Sequence, residues 1–175
     1  RTGMTEPQEM TRERFAGEAE ALLPQLYRIA QGILRQPSDA QDAVQQGLLR
    51  AWEKRETVRP ASFRPWVIRI VINQCHDIQR RRMRMIPTAE FPEAPVYEPG
   101  FEPPDPALAA ALFSLKENLR VPLLLRYMEG WDTGEIAAAL GLPVSLVKNR
   151  LFRARRALQK RILESREEER VWENQ

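Results

Sequence analysis

Residues 86–107, "IPTAEFPEAPVYEPGFEPPDPA", hold half of the chain's 14 prolines together with five acids and no base. Proline fixes φ and removes a backbone donor, so neither a helix interior nor a central strand is open to this stretch. The chain is therefore expected to fold as two units, residues 4–85 and 108–175, with an extended acidic linker between them. A largely polyproline-like linker of this length reaches on the order of 60 Å. A solvated spacer is its default role. Arg1-Thr2-Gly3 precede Met4, the expected native start, and read as a cloning remnant outside the fold.

Both units read as helical. Leu22, Leu23, Leu26, Tyr27, Ala30, Ile33 and Leu34 recur at intervals of three and four, which predicts an amphipathic helix stopping near Pro37. A second helix follows, with Ser38 or Asp39 as its expected cap and a stripe of Ala40, Ala43, Val44, Leu48, Ala51 and Trp52. After the loop "TVRPAS", Trp66, Val67, Ile70, Val71 and Ile78 form the expected buried side of a third helix, which Arg80, Arg81, Arg82 and Arg84 end. One or two cations satisfy a helix C-terminus through its dipole; four point to a polyanion. No stretch alternates as a strand does, so the fold class is all-α, two small helical domains on an extended linker.

The second unit contains a helix-turn-helix. In "TGEIAAALGLPVSLVKNRL", Ile136, Leu140 and Val147 bury the two helices, and Ala137 leaves room for their close crossing. Gly141 supplies the turn conformation open chiefly to glycine, and Pro143 suits the first turn of the next helix. Residues 146–162, "LVKNRLFRARRALQKRI", carry seven bases and no acid. At about 100° per residue, Val147, Leu151, Ala154, Leu158 and Ile162 share one sector, opposite Asn149, Phe152, Arg153, Arg156 and Lys160. The basic face thus points to solvent, and Phe152 with it. A large aromatic there wastes hydrophobic surface unless a partner covers it, and a DNA major groove offers thymine methyls beside its phosphates. A hairpin that binds only protein is the plainer alternative.

Composition narrows the choice. The net charge is only +3, so the basic character lies in local separation of charge rather than in excess. One cysteine excludes a disulfide framework or a four-cysteine zinc site and fits a reducing, cytoplasmic setting. No apolar run approaches the roughly 20 residues a membrane span needs, so no membrane insertion is expected. Asp39, Asp42 and Glu53 do not make a metal site: the first two stand at a helix start, where acids are stabilised by the dipole, and no histidine joins them. Cys75 and His76 are neighbours on a helix and diverge, a poor catalytic dyad. Trp52 and Trp66 read as core. The expectation is a non-enzyme with no catalytic residues, no metal and no cofactor. The tail "ESREEERVWENQ" reads as a solvated helix end.

The first unit resembles region 2 of the extracytoplasmic-function sigma factors of the sigma-70 family. It carries that pattern as Asp39, Ala40, Asp42, Gln45, Ala51-Trp52, Phe63-Arg64, Trp66, Asn73, Asp77 and Arg80 to Arg82, and the second unit looks like region 4. The resemblance spans nearly all of residues 20–162 in order. It implies a factor that joins bacterial core RNA polymerase, places it on promoter DNA and helps open the duplex. Asp39, Asp42, Gln45, Gln46 and Arg50 would dock on the polymerase. Arg59, Phe63, Arg64, Asn73, Asp77, Arg80, Arg81 and Arg82 would handle the downstream promoter element, where an unpaired base is held out of the stack by an aromatic or apolar pocket and basic contacts. Ser145, Lys148, Asn149, Phe152 and Arg153 would read the upstream element, with Arg156 and Lys160 on phosphates. An anti-sigma factor is a further implied partner, and the acidic linker would mimic a phosphate chain within the polymerase. The chain departs from the pattern at Gln46, Gly47 and Leu48, where glutamate, threonine and phenylalanine are usual, and at Ser145-Leu146, where glycine-threonine is common. Gly47 inside a helix is expected to cost about 1 kcal/mol against alanine. A stand-alone helix-turn-helix repressor or activator, its first unit a dimerisation or sensing module, is the alternative.

Overall fold

The computed structural model describes residues 9–85 and 105–175, and the chain divides into two compact units within the acidic segment. All regular elements among the described residues are helices. The expected linker falls outside the described residues except at its end. There the expectation is corrected: α4 already begins at Pro106, because Asp105 Oδ1 accepts from the backbone N–H groups of Ala107 and Leu108 at 2.9 and 3.4 Å. Proline at the first helical position needs no donor.

The first unit packs α1 (Arg12–Leu34), α2 (Pro37–Glu53) and α3 (Phe63–Met85) against one another. Helix α1 starts well before Leu22, capped by Thr11 Oγ1, which accepts from Arg14 N at 3.2 Å. Phe15 and Ala19 extend its buried stripe toward that cap. The chain reverses at Arg35, held at φ 61°, with Gln36 N donating to the Leu34 carbonyl at 2.6 Å. Neither Ser38 nor Asp39 caps α2. Gln36 is the cap residue and Pro37 opens the helix, so Asp39 is the third residue of the first turn.

Helix α3 buries Val67, Ile68, Val71, Ile72 and Cys75, while Trp66, Ile70 and Ile78 are only half-buried. The expected sector was too narrow and displaced, because α3 packs on α1 and α2 at once and must bury adjacent positions to face both. At the crossing with α2, Gly47 is buried. A Cβ there would stand 2.7 Å from Val71 Cγ2 and 3.2 Å from Val71 Cα. The helix-weakening glycine is what allows the two backbones to approach.

The second unit packs α4 (Pro106–Ser114), α5 (Glu117–Tyr127) and α6 (Thr133–Leu140) on the first part of α7 (Val144–Glu173). Val121, Leu123, Leu125, Trp131, Ile136, Val147, Leu151 and Ala154 are buried within it. Arg120 is buried too, at 4% exposure. Its Nη1 donates to the Leu115 carbonyl at 2.8 Å and its guanidinium lies 5.4 Å from the centre of the Phe113 ring, so the desolvated cation is compensated.

The turn between α6 and α7 follows the sequence closely. Gly141 adopts φ 65°, ψ 37°, and Leu142 N donates back to the Ala137 carbonyl at 3.0 Å, which satisfies the helix end. Pro143 caps α7 rather than opening it, one residue from the expected place. At the start of α6, Asp132 Oδ1 accepts from Glu135 N at 2.8 Å. Replacing Asp132 with alanine is expected to lower stability by about 1 kcal/mol, measured by equilibrium urea unfolding.

Candidate functional site

The outward face of α7 is built by the helix period and by what lies beneath it. Val147, Leu151 and Ala154 are buried and Leu158 and Ile162 half-buried, which fixes the rotation of the helix. Ser145, Lys148, Asn149, Phe152, Arg153, Arg156 and Lys160 consequently all face solvent. Phe152 is 57% exposed, with the Arg156 guanidinium 5.6 Å from its ring centre. Arg155 is set apart from this face: its Nε donates to Tyr127 Oη at 2.6 Å, a tie between α7 and α5. Lys160 Nζ lies 4.0 Å from Glu164, and exposed Glu164, Glu167 and Glu168 follow. Beyond Arg161 the helix surface is therefore mixed in charge rather than uniformly basic.

Two further surfaces come from the first unit. Asp42, Gln45, Gln46 and Arg50 lie exposed along α2, a polar face suited to a reversible interface. Asp39 does not join them. It is 8% exposed and its Oδ2 lies 2.6 Å from Arg82 Nη2, with Gln36 Oε1 a second, longer acceptor at 3.4 Å. From the first turn of α2 it reaches Arg82 of α3, so the pair is a brace between helices. Asp77 likewise bridges helices, 2.5 Å from Arg80 Nη2 and 3.7 Å from Arg50 Nη1.

The arginine run is thus divided. Arg80 and Arg82 are paired with acids of their own unit, whereas Arg81 and Arg84 are exposed and make no ion pair among the described residues. Arg59 and Asn73 are exposed, and Arg64 Nε donates to Gln25 Oε1 at 3.2 Å.

Phe63 differs most from expectation. It is 1% exposed, its ring 5.3 Å from Phe15 and 6.3 Å from Trp66. A residue placed by pattern on the DNA surface is core, because its ring packs into an aromatic cluster with Phe15 of α1 and Trp66. Phe15 does carry a signal in the sequence, four residues before Ala19 and eleven before Leu26 on the same helical period, but a stripe begun at Leu22 leaves it out. No helix among the described residues is long and apolar enough to cross a membrane.

The sequence matches the sigma-70 region 2 profile over residues 19–85 and the sigma-70 region 4 profile over residues 106–158. It is 30% identical over 142 residues to the ECF RNA polymerase sigma factor SigE of Mycolicibacterium smegmatis, covering 76% of this chain and 55% of that protein. The chain thus spans about half the length of that relative. With the ECF RNA polymerase sigma factor SigL of Mycobacterium tuberculosis it shares 33% identity over 171 residues, 85% of this chain and 94% of the relative. Among solved structures, the sigma factor RpoE of Bartonella quintana, crystallised with the anti-sigma factor NepR, superposes with a TM-score of 0.75 at 26% identity, covering 87% of this chain and 98% of that one. Together, the two matched regions and the relatives that align along most of the chain place the protein in the sigma-70 family, among the extracytoplasmic-function (ECF) sigma factors.

Proposed function

We propose that the protein binds core RNA polymerase in the cytoplasm and directs it to start transcription at specific promoters. The observation that carries this reading is the outward face of α7, where Phe152 lies exposed among Asn149, Arg153, Arg156 and Lys160 on the second helix of a helix-turn-helix. That face reads the upstream element as duplex. Asp42, Gln45, Gln46 and Arg50 dock on the polymerase, with Asp39 bracing their helix through Arg82 rather than making contact. The loop between α2 and α3 holds the unpaired base of the downstream element, and Arg59, Arg64, Asn73, Arg81 and Arg84 track its backbone. An anti-sigma factor, the class of partner with which the Bartonella quintana factor was crystallised, covers the α7 face, the docking helix or both until it is released.

Transcription with purified core polymerase tests this. Adding the protein is expected to give start-site-specific transcripts from its promoters. The free chain is expected to bind the same duplex only weakly, since each basic surface is smaller than a full operator interface. Tight, sequence-specific binding by the free chain with no transcripts supports the repressor reading instead.

A further inference from the structure

We infer that Phe15 is a positioning residue for the loop of residues 54–62, setting how selectively that loop holds an unpaired base; the inference rests on the function proposed above. Phe15 precedes the stretch that matches region 2. The loop leaves α2 beside Trp52 and enters α3 at Phe63. The ring of Phe15 meets both stems edge-on, 5.1 Å from Trp52 at 70° and 5.3 Å from Phe63 at 78°. Such T-shaped pairs hold ring orientation as well as burying area. One side chain from a third helix therefore fixes the spacing of the two loop stems.

Within the loop the remaining ties are local. Arg55 stacks 3.8 Å over the Trp52 ring and donates to the Trp52 carbonyl at 2.8 Å. Thr57 Oγ1 and Thr57 N both donate to the Lys54 carbonyl, at 2.7 and 2.9 Å, and Ser62 N donates to the Arg59 carbonyl at 2.9 Å. Val58 is the buried anchor, while Glu56, Thr57, Arg59, Ala61 and Ser62 face solvent. These bonds shape the loop, but each closes within a few residues of itself. Its attachment to the bundle runs through Val58 and the aromatic cluster of Phe15, Trp52, Phe63 and Trp66.

Phe15 is also remote from the centre of the bundle. Leu26, Ile29 and Ala30, deep in the core, lie 11 to 15 residues along the same helix, about 16–22 Å away along the axis. Loss of the ring acts first on the loop end. Loss of a side chain such as Ile29 acts on the whole bundle.

Holoenzyme made with the wild-type chain, Phe15→Ala, Phe15→Leu and Ile29→Ala is assayed on promoters varied at each base of the downstream element, with core affinity and thermal stability measured alongside. Phe15→Ala is expected to reduce discrimination at the unpaired position by roughly tenfold, as loss of two edge-on pairs implies. Core affinity is expected to stay unchanged, and Phe15→Leu, which keeps apolar volume without the ring, to fall between. Ile29→Ala is expected to lower stability and leave base preference as it is. Wild-type preference in Phe15→Ala, or an equal loss of preference in Ile29→Ala, overturns the inference while promoter-specific transcription stands. Absence of promoter-specific transcripts from the wild-type holoenzyme overturns the proposed function, and the inference with it.

Discussion

Replacing Asn149 or Arg153 with alanine is expected to weaken promoter recognition by about 1–3 kcal/mol and relax preference at one or two base pairs of the upstream element. Residues near the start of a recognition helix enter the groove, and later ones meet the backbone. Asparagine pairs two-fold with adenine and arginine with guanine, and an exposed aromatic such as Phe152 has the shape and polarity to cover a thymine methyl. Both side chains are exposed and the helix beneath them is fixed by Val147 and Leu151, so the loss is one of reading, not of folding.

Arg156 is expected to behave differently: its alanine variant weakens all sequences alike and lowers the salt slope by about one. Because the Arg156 guanidinium also lies over Phe152, Phe152→Ala is the control that separates a lost phosphate contact from a displaced aromatic ring. Transcription from a library of upstream elements, with salt titrations of holoenzyme binding, measures all four variants. Altered sequence preference in Arg156→Ala with none in Asn149→Ala or Arg153→Ala sinks this placement of the helix.

Gly47→Thr, the residue usual at this position in the family, is expected to destabilise the first unit by about 2–3 kcal/mol, since inserting atoms into a filled contact forces backbone or rotamer shifts. The new Cβ would meet Val71 at 2.7 Å, and Val71 Cα stands only 3.2 Å away, so the clash is not relieved by a flexible side-chain end. Threonine's better helix propensity offsets only part of this. The double variant Gly47→Thr/Val71→Ala is expected to recover some of the loss, because the nearest methyl is gone. Urea unfolding of Gly47→Thr, Val71→Ala and the double variant measures the coupling. An unchanged or raised stability in Gly47→Thr shows that the helices part without penalty at this crossing.

Much of this molecule is local in origin, and local features are legible along the chain. The rotation of α7 follows from the spacing of Val147, Leu151 and Ala154, and the α6–α7 turn from Gly141, because a 3.6-residue period and a positive φ leave marks in any sequence. The two-unit organisation follows from the prolines between them in the same way. What depends on the packing of one helix against another leaves no such mark. Phe63 looked like a DNA contact until Phe15, 48 positions earlier, was found against it. Asp39 looked like a cap or a docking residue until Arg82 was found beside it. Gly47 looked like a weak point of α2 until Val71 filled the space its missing side chain leaves. In each case the residue's type fits several roles, and only a partner distant in sequence, brought near by the three-helix packing, selects one. Which faces exist, and their charge, can be read along the chain; which side chains remain on those faces depends on helix packing, because burial against another helix is a property of the pair.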